Sequence, residues 1–498
     1  MMGYTTTVEF DQAYEAVRAT FASGATKDIA WRRMQLKRTW WMIEDNKDRI
    51  CAALYTDLHK HRQEALLSDC STIQADILHA LEKLEEWTKD ERPAKSNVIN
   101  RLGNATVRKE ALGVSLIIGA WNFPFVLLLQ PMISAIAAGC SMVLKPSELA
   151  PASQDLLMEL IPKYLDQKAI RCVTAGPEEM SSILDHRFDH IFYTGSSKTA
   201  KIISAAAAKH LTPVTLELGG QNPAIITKSA DIDLTSKHIA ATKFTNAGQI
   251  CLNANHILVD PSVREALVQR LGEYFDTFKG AKDAKPDHYT HIVNDRHFDR
   301  LEKLLKSTSG KIVYGGEHDR ETRYFAPTIV VGVKAGDSLL SEEIFGPILP
   351  IVDADIGAAI DFTNKLEHAL AIYAFTSEPA EKTRILNQTQ SGGVTFNDCA
   401  LHAAALDAPF GGVGNSGHGY AHGHFGFLTF THLRTHIDAL PKFMENLMDA
   451  RYPPYNDDKI AQLVPPTKPS FDRDGNDAKS HGVLAGLASG ILGLVKGK

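Results

Sequence analysis

The sequence predicts an α/β fold built on parallel β-sheet, and three observations support this prediction. From Leu112 onward, short apolar runs alternate with helical patterns, as βαβ units require. Two of these runs, Ser141 to Lys145 and His190 to Thr194, have the length and composition of buried strands. The chain has 498 residues, which is enough to bury large cores and to form two or more domains.

The first hundred residues predict helices. Ala30 to Leu36 begins a long amphipathic segment, and residues 65 to 87 carry a second one. We interpret both as scaffold for the sheets that follow.

The first predicted strand, Val114 to Ile118, leads into the turn Gly119-Ala120-Trp121-Asn122-Phe123-Pro124. Asn122 then lies beyond the carboxyl end of a strand, where α/β sheets place their ligands. The alternative is a purely turn-forming role, which asparagine side chains often have.

Cys251 and Glu217 offer a candidate nucleophile and a candidate general base. Cys251 ends the run Asn-Ala-Gly-Gln-Ile-Cys, and Glu217 lies in Leu-Glu-Leu-Gly-Gly. Because the thiolate is the attacking species, a carboxylate in the same chain is relevant to covalent catalysis at an electrophilic carbon. Taken alone, each residue also fits a simpler role, the cysteine as a small buried hydrophobe and the glutamate as a solvated side chain.

Two further strand ends carry polar residues. Gly195 and Ser196 follow an apolar strand and open an alanine-rich helix that runs to Ala208, where backbone N–H groups can hold a pyrophosphate. A Gly-Ser turn that only caps the helix is the alternative. Lys145 and Glu148 leave another strand end and could bind ribose hydroxyls, or form an ordinary surface ion pair.

Composition excludes several classes of protein. The net charge of -6 gives no electrostatic case for nucleic-acid binding. The six cysteines are scattered without a CxxC pair, so we expect neither a zinc site nor disulfides. This pattern favours a reducing compartment. The N-terminus has no secretory signal pattern, which favours the cytosol. His418, His422 and His424 lack partners at ligand spacing, so we expect no metal.

Seven motifs in order, WNFP, LKPSE, TGS, LELGG, GQxC, EEIFGP and PFGGxGNSG, resemble the aldehyde dehydrogenase superfamily over about residues 30 to 455. The chain is most similar to the class 3 and fatty aldehyde dehydrogenase branch. The short region before the first motif, the stretch Ala208 to Thr215 and the run Arg451-Tyr452-Pro453-Pro454 carry that finer resemblance.

The resemblance implies a Rossmann-like nucleotide-binding domain, an α/β catalytic domain, a small β oligomerisation element and a homodimer. It implies NAD as cofactor, with Glu148 disfavouring the 2′-phosphate of NADP, although class 3 enzymes use either dinucleotide. Ala200 stands where the family usually has a second glycine. The cofactor-binding set that follows is Trp121, Lys145, Glu148, Gly195, Ser196, Glu343 and Phe345, with Glu343 and Phe345 at the nicotinamide ribose and ring.

The chemistry expected from this resemblance is oxidation of an aldehyde to the acid. The Cys251 thiolate adds to the aldehyde carbon, and Asn122 with the Cys251 backbone N–H stabilises the oxyanion. Hydride transfer to the cofactor leaves a thioester, which water activated by Glu217 hydrolyses. The predicted domains are residues 1–95 with 111–217 for the cofactor, 218–420 for catalysis, and 96–110 with 421–445 for oligomerisation.

The C-terminal region predicts a linker over 446–480 and an apolar tail over 481–498. Gly482, Gly486 and Gly490 repeat at four-residue spacing among apolar residues. A helix over 482–495 has a length of about 21 Å and a bilayer core is about 30 Å thick. We therefore expect interfacial attachment on the cytosolic face of an intracellular membrane. A mobile tail, or a helix packed on the protein itself, is the alternative.

A membrane-bound tail favours a long-chain aliphatic aldehyde as substrate, because fatty aldehyde dehydrogenases often carry such an anchor. An isoprenoid or apocarotenoid aldehyde shares the apolar, extended character and is the second candidate. A membrane-bound binding protein that keeps the fold without turnover is the third. The presence of Cys251, Glu217 and Asn122 together argues against that last reading.

Overall fold

The computed structural model describes residues 3–94, 100, 102–280, 285–443, 449–463 and 469–477. These residues fall into two compact units. The first comprises residues up to 89 together with 109–433, and the second comprises residues 90–108 and those from 434 onward. The predicted apolar tail, 481–498, lies outside the described residues.

Helices surround the sheets of the first unit. The N-terminal group is α1 (Thr7–Ala22), α2 (Ile29–Glu44), α3 (Lys47–Leu58), α4 (Arg62–Ala65) and α5 (Thr72–Thr88). The remaining helices are α6 (Val126–Ala138), α7 (Pro151–Tyr164), α8 (Pro177–Leu184), α9 (Ser197–Ala208), α10 (Ile232–Phe244), α11 (Arg264–Lys279), α12 (Asp295–Ser307), α13 (Ile356–Lys365), α14 (Pro379–Gln388) and α15 (Gly423–Thr429).

The helices predicted near the N-terminus are present, and the second contains a π-helical segment. Between α4 and α5 the chain forms a π-helix over Leu66–Ser71. The residues expected as one helix over 65–87 are therefore helical throughout, but the first turns are not α-helical. Such π segments carry an extra residue per turn and often occur at functional sites.

The strands are β1 (Thr106–Ala111), β2 (Val114–Ile118), β3 (Ser141–Lys145), β4 (Ile170–Cys172), β5 (His190–Gly195), β6 (Val214–Leu218), β7 (Pro223–Ile226), β8 (His256–Val259), β9 (Lys311–Tyr314), β10 (His318–Asp319), β11 (Tyr324–Phe325), β12 (Thr328–Val331), β13 (Ile348–Asp353), β14 (Ala371–Phe375), β15 (Gly393–Phe396), β16 (Gly417–His418) and β17 (Thr431–His436). The two strands predicted at 141–145 and 190–194 are confirmed as β3 and β5.

A six-stranded sheet has the order β16-β6-β5-β2-β3-β4. Neighbouring strands in this sheet are parallel, with one exception. The edge strand β16 runs antiparallel to β6 and places Gly417 opposite Glu217. Thr194 of β5 also lies opposite Glu217. The carboxyl ends of β2, β5 and β6 therefore meet at one edge of the sheet.

A seven-stranded sheet has the order β15-β14-β7-β8-β13-β12-β9, with only β9 antiparallel to its neighbour. The central strands of both sheets are buried on both faces, whereas the edge strand β9 is largely exposed. In β2, for example, Ile117 packs into one apolar core while Leu116 and Ile118 pack into another. This arrangement explains why the strands read as continuous apolar runs and not as alternating ones. The α/β fold predicted from the sequence is confirmed.

The strands β1 and β17 form a separate two-stranded sheet, as do β10 and β11. β1 and β17 fall in the segments that we predicted as an oligomerisation element, and that role stays a prediction. The second unit contains one described helix, α16 (Asp457–Leu463). Among the helices in the described part of the chain, none has both the length and the apolar character needed to cross a membrane.

Candidate active site

A cavity of about 280 Å³ opens where the carboxyl ends of β2, β5 and β6 meet. We call it the central cavity. Most of the predicted site residues line this cavity. They are Cys251, Glu217, Asn122, Trp121, Gly195, Ser196, Glu343 and Phe345. Its other lining residues are Ala120, Leu127, Thr194, Leu218, Gly219, His297, Arg300 and Glu342.

The loop before Cys251 has an unusual backbone that aims the thiol at the cavity. Asn246 and Ala247 adopt left-handed conformations, with φ values of 52° and 49°. Gly248 follows with a φ of 70°, and a Cβ there would lie 2.3 Å from the carbonyl oxygen of Gly346. Only glycine fits at this point, which explains the Gly in the GQxC motif.

Gln249 holds this loop in place. Its side-chain amide donates to the carbonyl oxygens of Asn246 and His291, each at 3.0 Å, and accepts from the N–H of Val293 at 3.0 Å. Gln249 is fully buried, so all three bonds form away from water. The Gln of the motif therefore stabilises the loop that leads to Cys251.

The environment of Cys251 strongly disfavours the deprotonated, thiolate form of its side chain. Burial raises its pKa to about 12, and the nearby Glu343 and Glu217 carboxylates add to the rise. The backbone N–H groups of Cys251 and Leu252 act in the opposite direction by favouring negative charge beside the sulfur. The thiol is thus protonated at neutral pH, while N–H donors already point at its immediate surroundings.

Glu217 lies in β6 with its carboxylate in the cavity. Among the described residues, neither carboxylate oxygen has a hydrogen-bond partner, although the side chain is only 7% exposed. Burial raises the pKa of this carboxyl well above its ordinary value. A buried carboxyl without partners is costly to keep, and it has the raised basicity that a general base needs.

Asn122 is fixed at both its side chain and its backbone. Its Nδ2 donates to the carbonyl oxygen of Gln249 at 3.0 Å, and its own carbonyl oxygen accepts from Asn246 Nδ2 at 3.1 Å. The side-chain amide has two N–H groups, and one of them is used by Gln249. The other is left to bind a ligand in the central cavity.

An aromatic and charged wall faces these three residues. The ring of Trp121 lies 5.3 Å from Phe345 and 5.1 Å from His297. Arg300 donates to Glu342 Oε1 at 3.0 Å and to the carbonyl oxygen of Ile344 at 2.6 Å, and so braces the loop that carries Glu343 and Phe345.

The sequence reasoning did not find His297 and Arg300. Both belong to α12, three residues apart, and residues at this spacing share one face of a helix. That spacing, next to an Asn294 N-cap, is the signal that could have indicated a polar helix face turned toward a site.

The family model described as "Aldehyde dehydrogenase family" matches residues 2–436. The chain belongs to this family. A solved structure described as the substrate-bound state of Staphylococcus aureus AldH is 37% identical, with a TM-score of 0.84 over 87% of this chain and 94% of that one.

Curated relatives match over nearly the whole chain. "Aldehyde dehydrogenase family 3 member A2" of Mus musculus is 43% identical over 89% of this chain and 91% of the relative. "Aldehyde dehydrogenase, dimeric NADP-preferring" of Canis lupus familiaris is 40% identical over 90% and 98%. "Beta-apo-4'-carotenal oxygenase" of Neurospora crassa is 40% identical over 96% and 91%. The enzyme oxidises aldehydes with NAD or NADP.

The segment 195–200 of this aldehyde dehydrogenase ends in Ala200, where the family usually has a second glycine. In the structure Ser196 caps α9 through the N–H of Thr199, and Ala200 is 2% exposed within an apolar core. Since its methyl group packs away from the cavity, the start of α9 stays open beside Gly195 and Ser196. The departure therefore does not block a dinucleotide.

Lys145 and Glu148 are not among the described residues that line the central cavity. They hydrogen-bond to each other, and Lys145 is 5% exposed, so the pair is not an ordinary surface ion pair. Tyr193 interacts both with Glu148 of this pair and with Ser196, which lines the cavity. Burial raises the pKa of its phenol, with a smaller contribution from Glu148, and its hydroxyl donates to the carbonyl oxygen of Ser196 at 3.4 Å.

Two of the histidines singled out from the sequence stack on aromatic rings, whereas His418 is exposed. His422 stacks on Phe410 with ring centres 5.3 Å apart, and His424 stacks on Trp87 at 5.9 Å. All six cysteines are free thiols. Within the described ranges, no group of three or more His, Cys, Asp or Glu is arranged to hold a metal ion.

Proposed function

We propose that Cys251, Glu217 and Asn122 carry the oxidation of an apolar aldehyde to its carboxylic acid. The observation that supports this proposal most directly is their convergence on one cavity: a thiol, a carboxylate with no partner, and an amide with one N–H left over. These are the three chemical groups that thioester catalysis needs.

In the first step the Cys251 thiol gives up its proton to solvent, its sulfur forms a bond to the aldehyde carbon, and the π electron pair of the carbonyl moves to the oxygen, which becomes an oxyanion. The free N–H of Asn122 and the backbone N–H of Cys251 stabilise that charge. A bound NAD or NADP would supply the hydride acceptor for the carbon held on Cys251, and a positively charged ring that would favour the thiolate. Cys251 would then hold the acyl group as a thioester.

In the second step Glu217 takes a proton from water, and the resulting hydroxide attacks the thioester carbon. The carbon–sulfur bond breaks and the carboxylic acid is released, the sulfur leaves as a thiolate, and Glu217 passes its proton to that sulfur. Burial raises the pKa of the Glu217 carboxyl, so the group acts as the base in its ionised form, which is a stronger base than an exposed carboxylate.

The residues around the cavity fit a dinucleotide. A Cβ at Gly219 would lie 2.2 Å from Glu343 Oε1, so glycine leaves the carboxylate where it is beside the cavity, and a larger residue would displace it. We assign the pyrophosphate to Gly195 and Ser196 at the start of α9, and the nicotinamide ribose and ring to Glu343, Phe345 and Trp121. Lys145 and Glu148 are assigned to the adenosine ribose, with Tyr193 as their neighbour.

The substrate we favour is a long-chain aliphatic aldehyde. The apolar composition of residues 482–495 supports it, because a membrane-attached enzyme meets lipid-derived aldehydes. An apocarotenoid aldehyde is the second candidate, and the relative named beta-apo-4'-carotenal oxygenase, which covers 96% of this chain, favours it.

Production of NAD(P)H by purified protein tests this proposal. Aldehydes of increasing chain length and one apocarotenal are compared, with the Cys251→Ala variant run beside the parent. Turnover that depends on Cys251 and rises with chain length supports the fatty aldehyde, whereas a preference for the apocarotenal supports the second candidate. Turnover that survives in Cys251→Ala, or no turnover with any aldehyde, contradicts the assignment and revives the binding-protein reading.

Assembly and location are parts of the same proposal. We infer a homodimer, supported by the relative whose name includes "dimeric", and attachment of residues 481–498 to the cytosolic face of an intracellular membrane. Light scattering on the purified chain tests the dimer. Flotation with phospholipid vesicles, comparing the full chain with one ending at residue 480, tests the attachment, and equal flotation of the two chains contradicts it.

A further inference from the structure

A fully buried ion pair lies directly behind Asn122. Lys60 Nζ is 3.2 Å from Asp69 Oδ2, and both side chains have no solvent exposure. The ammonium also lies 4.1 Å from the ring centre of Phe123, and Ser68 Oγ donates to the same Asp69 oxygen at 3.0 Å. Asp69 belongs to the π-helix over Leu66–Ser71, which interrupts the helical scaffold at this point.

Burial of this pair is a poor way to gain stability. Removing two charges from water costs several kcal/mol, and apolar residues of similar size often do as well or better. The attraction between Lys60 and Asp69 therefore does not by itself explain why the two charged side chains are buried at this position. A contact outside the pair gives a reason for it, since Lys60 Nζ is also within 3.4 Å of the carbonyl oxygen of Asn122.

The Asn122 carbonyl thus has two donors, Lys60 Nζ and Asn246 Nδ2. Asn246 is held in turn by the same segment of the chain, because its backbone N–H donates to Glu64 Oε1 at 2.9 Å. Residues 60–69 consequently fix both the turn that carries Asn122 and the left-handed loop that leads to Cys251. The buried ammonium thus contacts the main chain of Asn122, a residue that lines the central cavity.

We propose that Lys60 is a positioning residue that acts through Asn122: its buried ammonium, neutralised by Asp69, holds the Asn122 peptide so that the free side-chain N–H meets the oxyanion. The proposal rests on the oxyanion role of Asn122 in the proposed function. Lys60 does not line the central cavity among the described residues, so it acts at a distance from the substrate.

A double-mutant cycle between Lys60→Met and Asn122→Ala tests this. Methionine keeps the length of the side chain and removes its charge. We expect Lys60→Met alone to lower kcat about tenfold to a hundredfold with little change in KM, since small misplacements of catalytic groups cost this much. In the Asn122→Ala background the same substitution should change kcat less than about twofold, because the donor it positions is already gone.

Two further variants separate positioning from general damage. Lys60→Met with Asp69→Asn removes both charges and leaves no uncompensated partner in the pair, so it keeps the test usable if the single variant folds poorly. Lys279→Met is the matched control: Lys279 is 8% exposed, lies 3.5 Å from Asp276 and 5.0 Å from the Tyr314 ring, and belongs to α11. We expect Lys279→Met to leave kcat within about twofold of the parent.

Each outcome is decisive. Equal losses from Lys60→Met in the parent and in Asn122→Ala overturn the inference, and so does parental kcat in the folded Lys60→Met protein. Parental kcat in Asn122→Ala would instead refute the oxyanion role itself, which belongs to the proposed function. The assays use the full chain with NAD and one aldehyde at saturation, and circular dichroism of each variant checks that it is folded.

Discussion

Replacing Glu217 by Gln separates the two chemical steps of the proposed reaction. The side chains have nearly the same shape, and no hydrogen bond is lost because neither carboxylate oxygen has a partner among the described residues. Since Glu217 is assigned to hydrolysis, the thioester should still form. We expect a burst of about one NADH per active site, followed by a kcat about a hundredfold to ten-thousandfold below that of the parent.

The same substitution should alter stability with a definite dependence on pH. Burial raises the pKa of Glu217 well above its ordinary 4.5, so between the two values the folded state holds one proton more than the unfolded state. The stability of the parent therefore falls as pH rises through this window. Glutamine cannot ionise, so the variant should gain on the parent by about 1.4 kcal/mol per pH unit until the folded carboxyl ionises.

Stopped-flow absorbance measures the burst, and denaturant unfolding at several pH values measures the stability. Two results refute the reasoning. A variant without a burst would show that Glu217 is required before hydride leaves, and parallel stability profiles for variant and parent would show that the carboxyl is not buried as a neutral group.

Three further predictions concern the thiol, the amide and the cofactor. Asn122→Ala should lower kcat about a hundredfold to a thousandfold, the usual loss for one oxyanion donor, and an effect below tenfold on initial rates would contradict it. Burial raises the pKa of the Cys251 thiol to about 12, so the reactive thiolate fraction should grow with pH. In the cofactor-free enzyme, the rate of alkylation by iodoacetamide should therefore rise about tenfold per pH unit from about pH 8 to about pH 9.5. Labelling is measured by mass spectrometry, and a rate that levels off in this range would contradict the prediction. Glu148→Gln should raise kcat/KM for NADP about tenfold and leave that for NAD nearly unchanged, since it removes repulsion of a 2′-phosphate; equal changes in steady-state rates with both cofactors would place Glu148 elsewhere.

The sequence was most informative where residues follow parallel strands. Asn122, Gly195 and Glu217 lie far apart in the chain, yet all follow or end strands of one sheet, and such ends meet at one edge. The local pattern placed Asn122 and Gly195 after strands, whereas the role of Glu217 rested on the resemblance of its motif to the family.

Other features of the site depend on contacts that no local pattern records. Lys60 and Asp69 look like ordinary polar residues of a helical segment, and only the tertiary structure shows that they are buried behind Asn122. His297 and Arg300 reach the cavity because α12 packs against the loop that carries Phe345. The π-helix was missed because its residues have the same apolar spacing as a regular helix.

The antiparallel addition of β16 to β6 has a consequence for synthesis of the chain. During translation, β6 is synthesised about two hundred residues before β16. At a synthesis rate of about 5–20 residues per second, the edge of β6, the strand that carries Glu217, therefore lacks its final partner for about ten to forty seconds. An open edge of this kind is a template for pairing with other chains. We therefore expect the nascent protein to depend on chaperones during that interval, and slow codons between the two strands to lower the yield of active enzyme.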